Sequence, residues 1–171
     1  MNIKSSDILS IAIGSIVTDF LFLLMNYNDK IFVSKKLTLW YTDLGTSAMA
    51  MDIIIILLVV MLGIKLSEYY LKSPSLLTTS LAVVMLQVLH DVLFYIVFET
   101  SPKGIYIFDV FKNYALEVGY HAIWSDSLMV LSTLFIADKV SVYSNTKKQV
   151  LLLSSLYIAL FSLYSKPPTI P

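Results

Sequence analysis

Four aspartates, Asp19, Asp52, Asp91 and Asp126, lie inside long apolar runs, where a carboxylate has no water to solvate it. Acids in such positions do a short list of jobs: they hold a cation, relay a proton, or fix helix packing by accepting hydrogen bonds. Their neighbours extend that chemistry. On a helix, Gln87, His90 and Asp91 share one face, Glu117, His121 and Ser125 recur at i, i+4, i+8, and Ser15 precedes Asp19 by one turn. Asp19, Asp52, Asp91, Asp126 and His90 are therefore the candidate ligands of a cation or proton cluster, with Gln87, Glu117, His121 and Ser125 as accessory groups. The plainer assignment stands beside this one. A buried Asp can tie Ser and Thr across helices, and a His at a helix end, such as His121, is ordinarily interfacial.

The elements that must carry these residues are membrane helices. Of the 171 residues, 57% are apolar and 14% charged, against roughly 45–50% and 25% in ordinary soluble domains. A membrane-crossing helix needs about 20 mostly apolar residues. Five segments qualify as candidates: Ile8 to Met25, Gly45 to about Ile64, Leu76 to Phe98, Gly119 to Ala137, and a shorter one, Val150 to Tyr164. The last has a re-entrant or interfacial segment as its alternative; the flanking Lys147, Lys148 and Lys166 favour a span. All five prolines fall outside these segments. The expected fold is an all-α polytopic bundle forming a single membrane domain over 1–171. The first run resembles a signal peptide, but it contains Asp19 and leads into Asn26-Tyr27-Asn28-Asp29 without a small-residue cleavage site. It is read as a retained span.

Composition also excludes. There is no Cys, which removes disulfides, thiolate catalysis and Cys-based metal sites. The twelve basic residues are all Lys, net charge is zero, and no basic stripe points to nucleic acid. The lysines divide evenly between the two sides of the bundle, so the positive-inside rule gives no orientation. Which membrane holds the chain is likewise open.

The sequence repeats itself. An offset of 74 pairs Trp40 with Tyr114, Asp43 with Glu117, Gly45 with Gly119, Ala48 with Ala122, Asp52 with Asp126 and Lys65 with Lys139. An offset of 72 pairs Asp19 with Asp91 and Phe22 with Phe94. We read a tandem duplication of a two-helix unit, 8–70 and 76–144, followed by a fifth helix at 150–164. Both copies would insert the same way, related by a pseudo-twofold axis along the membrane normal. Small residues at Gly45, Ala48, Gly119 and Ala122 would let backbones approach beside the acids.

The span boundaries put Asp19 and Asp91 about seven residues before a helix end, and Asp52 and Asp126 about seven after a helix start. At 1.5 Å per residue all four lie roughly 10 Å inside one face. That face carries the aromatic connections 26–44 and 99–118, including Ile31-Phe32-Val33, Leu39-Trp40-Tyr41, Ile105 to Phe108, Phe111 and Tyr114. These suit an aromatic belt in the headgroup layer, a soluble cap, or a surface for a protein partner or a second copy in a homo-oligomer. Four unpaired central Asp would cost on the order of 10 kcal/mol on insertion scales, less off-centre. Protonation, a water-filled vestibule or a bound cation would relieve that cost.

Three functions follow as expectations. The first is a protein that binds or conducts a cation or proton, a cation being the only cofactor implied. The second is a structural or assembly protein whose acids fix packing. In its all-lysine basic set, abundant Ile and Tyr, and minimal loops, the whole chain resembles the small polytopic membrane proteins of large DNA viruses. That resemblance implies a virion or host-derived membrane. The third is a membrane metalloenzyme of di-iron type, although the Glu-x-x-His spacing of such sites is absent. No Ser-His-Asp set, phosphate loop or His-Glu-x-x-His motif favours any other enzyme.

Overall fold

The computed structural model describes residues 1–27, 40–41 and 43–165. Within them the chain is helical and has no strand: α1 (Ile8–Tyr27), α2 (Thr46–Tyr70), α3 (Leu76–Thr100), α4 (Tyr106–Val118), α5 (His121–Val140) and α6 (Asn145–Tyr164). Of these, α1, α2 and α3 are long and apolar enough to cross a membrane. The 20-residue α5 and α6 fall short of that measure. Asp126, Asp138 and Lys139 dilute the first, and Lys147, Lys148 and Gln149 the second.

Local chemistry sets the helix ends. The Asp7 side chain accepts the Ser10 N–H at the start of α1. After Pro74, Ser75 and Thr78 form a reciprocal capping box that opens α3. The Ser144 hydroxyl accepts the Lys147 N–H, so α6 begins at Asn145 rather than Val150, five residues earlier than hydropathy suggests. Likewise α2 continues past Ile64 to Tyr70, because no breaker precedes Ser73 and Pro74. Polar residues end an apolar run; they do not end a helix.

Gly45 and Gly119 do break the chain. Their φ angles are 52° and 56°, with ψ of −124° and −136°, a backbone conformation that side chains disfavour. A helical turn carrying Trp40 and Tyr41 precedes Gly45, and α4 precedes Gly119. The break at Gly119 corrects one expectation. Glu117 belongs to α4 and His121 opens α5, so they form no i, i+4, i+8 stripe with Ser125.

In the bundle, α1 packs against α2, α5 and α6, and α3 packs against α2, α5 and α4, while α2 and α5 touch across the middle. The closest approaches occur at Gly14 and Gly63, not at the glycines beside the acids. A Cβ on Gly14 would lie 2.7 Å from the Thr133 carbonyl oxygen, and one on Gly63 would lie 2.5 Å from Val83 Cγ2 and 2.9 Å from its Cα. Beside the first crossing the Thr18 and Thr133 hydroxyls bond at 3.0 Å. Around these seams Ile11, Val60, Ile64, Val83 and Leu134 are buried. The outward faces are apolar as well: Leu58 and Leu62 on α2, Met85 and Leu89 on α3, and Leu153 and Phe161 on α6 are exposed.

The end of the bundle remote from Gly45 is tied by the N-terminal segment. Asp138 accepts the backbone N–H groups of Asn2 and Ile3, Glu68 accepts from Ser5, and buried Lys148 pairs with Asp7. Every charge buried there has a partner.

Two predictions follow. Gly63→Leu should lower unfolding stability in detergent by about 1–3 kcal/mol or more, through overpacking. The adjacent outward-facing Leu62→Ala should change it by less than about 0.5 kcal/mol. The second concerns Asp7. Partial burial opposes its charge, but the hydrogen bonds from Lys148 and Ser10 outweigh that and hold its carboxyl below the usual range. The resulting stability is present above the unfolded pKa of about 3.9 and is lost as pH falls through the lower folded value. The melting-temperature gap between wild type and Asp7→Asn should therefore hold steady above about pH 5 and close below about pH 4.

Candidate functional site

Asp19, Asp52, Asp91 and Asp126 each sit roughly two turns from the helix ends that face Trp40 and α4. Asp52, Asp91 and Asp126 come from α2, α3 and α5 and line one cavity of about 660 Å³. Gln87, His90 and Ser125 line the same space. Asp19 does not; it is fully buried behind Tyr41.

The link between Asp19 and the cavity is the Tyr41 hydroxyl, 3.1 Å from Asp19 Oδ1 and 2.9 Å from Asp52 Oδ2. A phenol has one proton to donate. Both contacts are satisfied together only when one of the two carboxyls itself carries a proton and donates it to the phenol oxygen. The Trp40 indole N–H donates to Asp52 Oδ2 at 3.2 Å. On α3, Gln87 Nε2 donates to Asp91 Oδ1 at 2.6 Å and His90 Nδ1 stands 3.1 Å from the same oxygen. Two acceptors are left without partners, Gln87 Oε1 and Asp91 Oδ2. On α5 the Ser125 hydroxyl contacts Asp126 Oδ1 at 3.2 Å and the Ala122 carbonyl at 2.9 Å. The Ser15 hydroxyl bonds the Ile11 carbonyl and takes no part.

The walls are aromatic. Phe98 and Phe111 stack at 4.5 Å and 7°, Phe94 meets Phe98 at 4.0 Å, and Trp40 meets Phe111 at 4.6 Å. Residues 106–118 form a helix that folds Phe111 onto α3 and Trp40 beside the cavity, while Tyr106 and Leu116 on it stay exposed. Trp40 and Tyr41 are buried for the same reason, at 5% exposure each. Ile31-Phe32-Val33 and Leu39 lie outside the described residues, as does most of the proposed partner surface at 26–44.

Glu117 and His121 are exposed at the Gly119 break and do not line the cavity; the His121 ring packs 4.2 Å from Tyr120. Among the described residues no group of three or more His, Asp and Glu is arranged to hold a metal ion. Trp40, Tyr41, Phe94 and Phe111 were not among the residues singled out for chemistry. The available signal was the indole N–H and phenol O–H, which need partners when buried, at five and four residues before Gly45. No protein family, curated protein or solved structure matches the chain.

Removing the bridge tests its role. Tyr41→Phe leaves Asp19 Oδ1 without this donor and should cost about 1–3 kcal/mol of stability in detergent unfolding. Tyr106→Phe, which loses only an exposed 3.3 Å contact to Asp43, should cost little.

Proposed function

We propose that this chain is a multi-pass integral membrane protein that binds a cation in an intramembrane acidic cavity and lets it pass or exchange. The observation that carries this reading is the convergence of Asp52, Asp91 and Asp126, from three separate helices, on one cavity. Lys65 and Lys139 stand at the far ends of their helices, so a bound cation or a proton is the available neutralising charge. His90 Nδ1 stands 3.1 Å from Asp91 Oδ1 and adds a ring nitrogen to the polar groups of the cavity lining.

In this reading α5 and α6 also cross the bilayer, supported by their length and by the apolar outer face of α6. The four aspartate-bearing helices are a 2+2 parallel repeat. Support comes from the matched backbone at Gly45 and Gly119 and from the exchangeable packing. Both α1 and α3 sit between α2 and α5, as a pseudo-twofold relation requires. The metalloenzyme alternative has no comparable support, since among the described residues no group of three or more His, Asp and Glu is arranged to hold a metal ion.

A second reading is favoured by one observation, the Asp19–Tyr41–Asp52 bridge, in which two carboxyls join helices through one phenol. There the acids fix packing, and the chain is a structural component of a membrane, including a virion membrane as its resemblance to viral polytopic proteins implies. The two readings separate experimentally. Proteoliposomes should dissipate a gradient of at least one of H⁺, Na⁺, K⁺ or a small organic ammonium faster than protein-free vesicles. Asp126→Asn should slow that at least tenfold while keeping helicity and monodispersity. Equal rates for wild type, variant and empty vesicles across all four ions would overturn the cation reading and leave the structural one.

A further inference from the structure

Resting on the cation reading, we infer that the cavity's ligand is an amphiphilic organic amine: an ammonium group with N–H donors on an apolar, ring-sized body. Three features of the site favour an occupant larger than a bare inorganic ion. The volume, about 660 Å³, is that of a small-molecule pocket rather than of an ion cage. Hard cations want six or more oxygens converging at about 2–2.6 Å, and no metal-holding group of acids and histidines forms among the described residues. The remaining wall is aromatic and aliphatic, which suits a hydrocarbon body and gives a cation π-faces to rest against.

The position of the ammonium comes from a separate observation. Gln87, a residue of the cavity lining, is 3% exposed; its Nε2 is committed to Asp91, and its Oε1 is buried without a partner. Asp91 Oδ2, on the next turn of the same helix, is also unpartnered. A buried acceptor left unmatched costs free energy, about 1–3 kcal/mol for a neutral group and more for a charged one. Two such acceptors, on residues one turn apart that both line the cavity, would be matched by a group that reaches them with at least two N–H donors and a positive charge. A quaternary ammonium supplies the charge without the donors, and an alcohol supplies a donor without the charge. A primary amine supplies both. Its body would extend toward Phe94, Phe111 and Trp40. The rim, where Met51, Val92, Tyr95 and Tyr120 are exposed, is apolar enough to admit such a molecule from the lipid side.

The experiment is calorimetric titration of the full chain in detergent with 4-phenylbutylamine, 4-phenylbutanol, trimethyl(4-phenylbutyl)ammonium and NaCl. The amine should bind at least tenfold more tightly than the alcohol or the quaternary analogue. Gln87→Leu should weaken it tenfold or more with helicity unchanged. Should Gln87→Leu fail to fold, Ala115→Phe, which fills the cavity from α4 without touching a carboxyl, should abolish binding instead. An amine bound no more tightly than its alcohol, or bound equally by wild type and Ala115→Phe, overturns the inference. If the amine fails while Asp126-dependent flux of H⁺, Na⁺ or K⁺ persists, only the ligand class falls; if that flux is absent too, the cation reading falls with it.

Discussion

A carboxyl group taken out of water must meet hydrogen-bond donors or a positive charge, and the helices carrying Asp19, Asp52, Asp91 and Asp126 offer no Lys or Arg at that depth. Much of the architecture can be understood as the response. A short helical turn brings Trp40 and Tyr41 inward to donate to Asp52 and Asp19. Gln87 donates to Asp91, and Ser125 contacts Asp126. Each donor comes from the half-turn or segment that the local backbone can place there, and the supply is incomplete.

That incompleteness differs between the two ends of the bundle. At the end tied by the N-terminal segment, Asp138, Glu68 and Asp7 each have partners, and Lys148 is buried only because Asp7 meets it. There the charged side chains are paired and serve to fasten helices. At the other end a cavity remains, walled by Phe94, Phe98 and Phe111 and bordered by acceptors that lack donors. Burial without satisfaction is unfavourable for folding.

The glycines divide the labour in a similar way. Gly14 and Gly63 let helices meet where any Cβ would strike a neighbour, so they set interhelical distance. Gly45 and Gly119 contact little or nothing and instead reverse the sign of φ. These breaks allow an aromatic segment to fold over the acids before the next helix begins. Without the turn at Gly119, α4 and α5 would continue as one rod and Phe111 would not face Trp40.

The amino-acid sequence by itself determined the helical class, because long apolar runs without breakers have few other ways to satisfy their backbone. It determined that α1, α2 and α3 are apolar enough to cross a membrane, and that the four aspartates lie at similar depth, since depth along a helix is a matter of counting residues. It also determined the matched positions of Gly45 and Gly119. Only the tertiary structure decided which acids share a cavity, because azimuth and helix neighbours depend on packing that periodicity in a nearly all-apolar helix does not reveal. Asp19 thereby became a bridged, fully buried group, while Asp91 became a cavity wall. Trp40 and Phe111 turned inward for the same reason: hydropathy cannot distinguish an aromatic ring that faces lipid from one that packs on other rings. Glu117 and His121 separated because one positive φ, invisible in a helical-wheel count, lies between them.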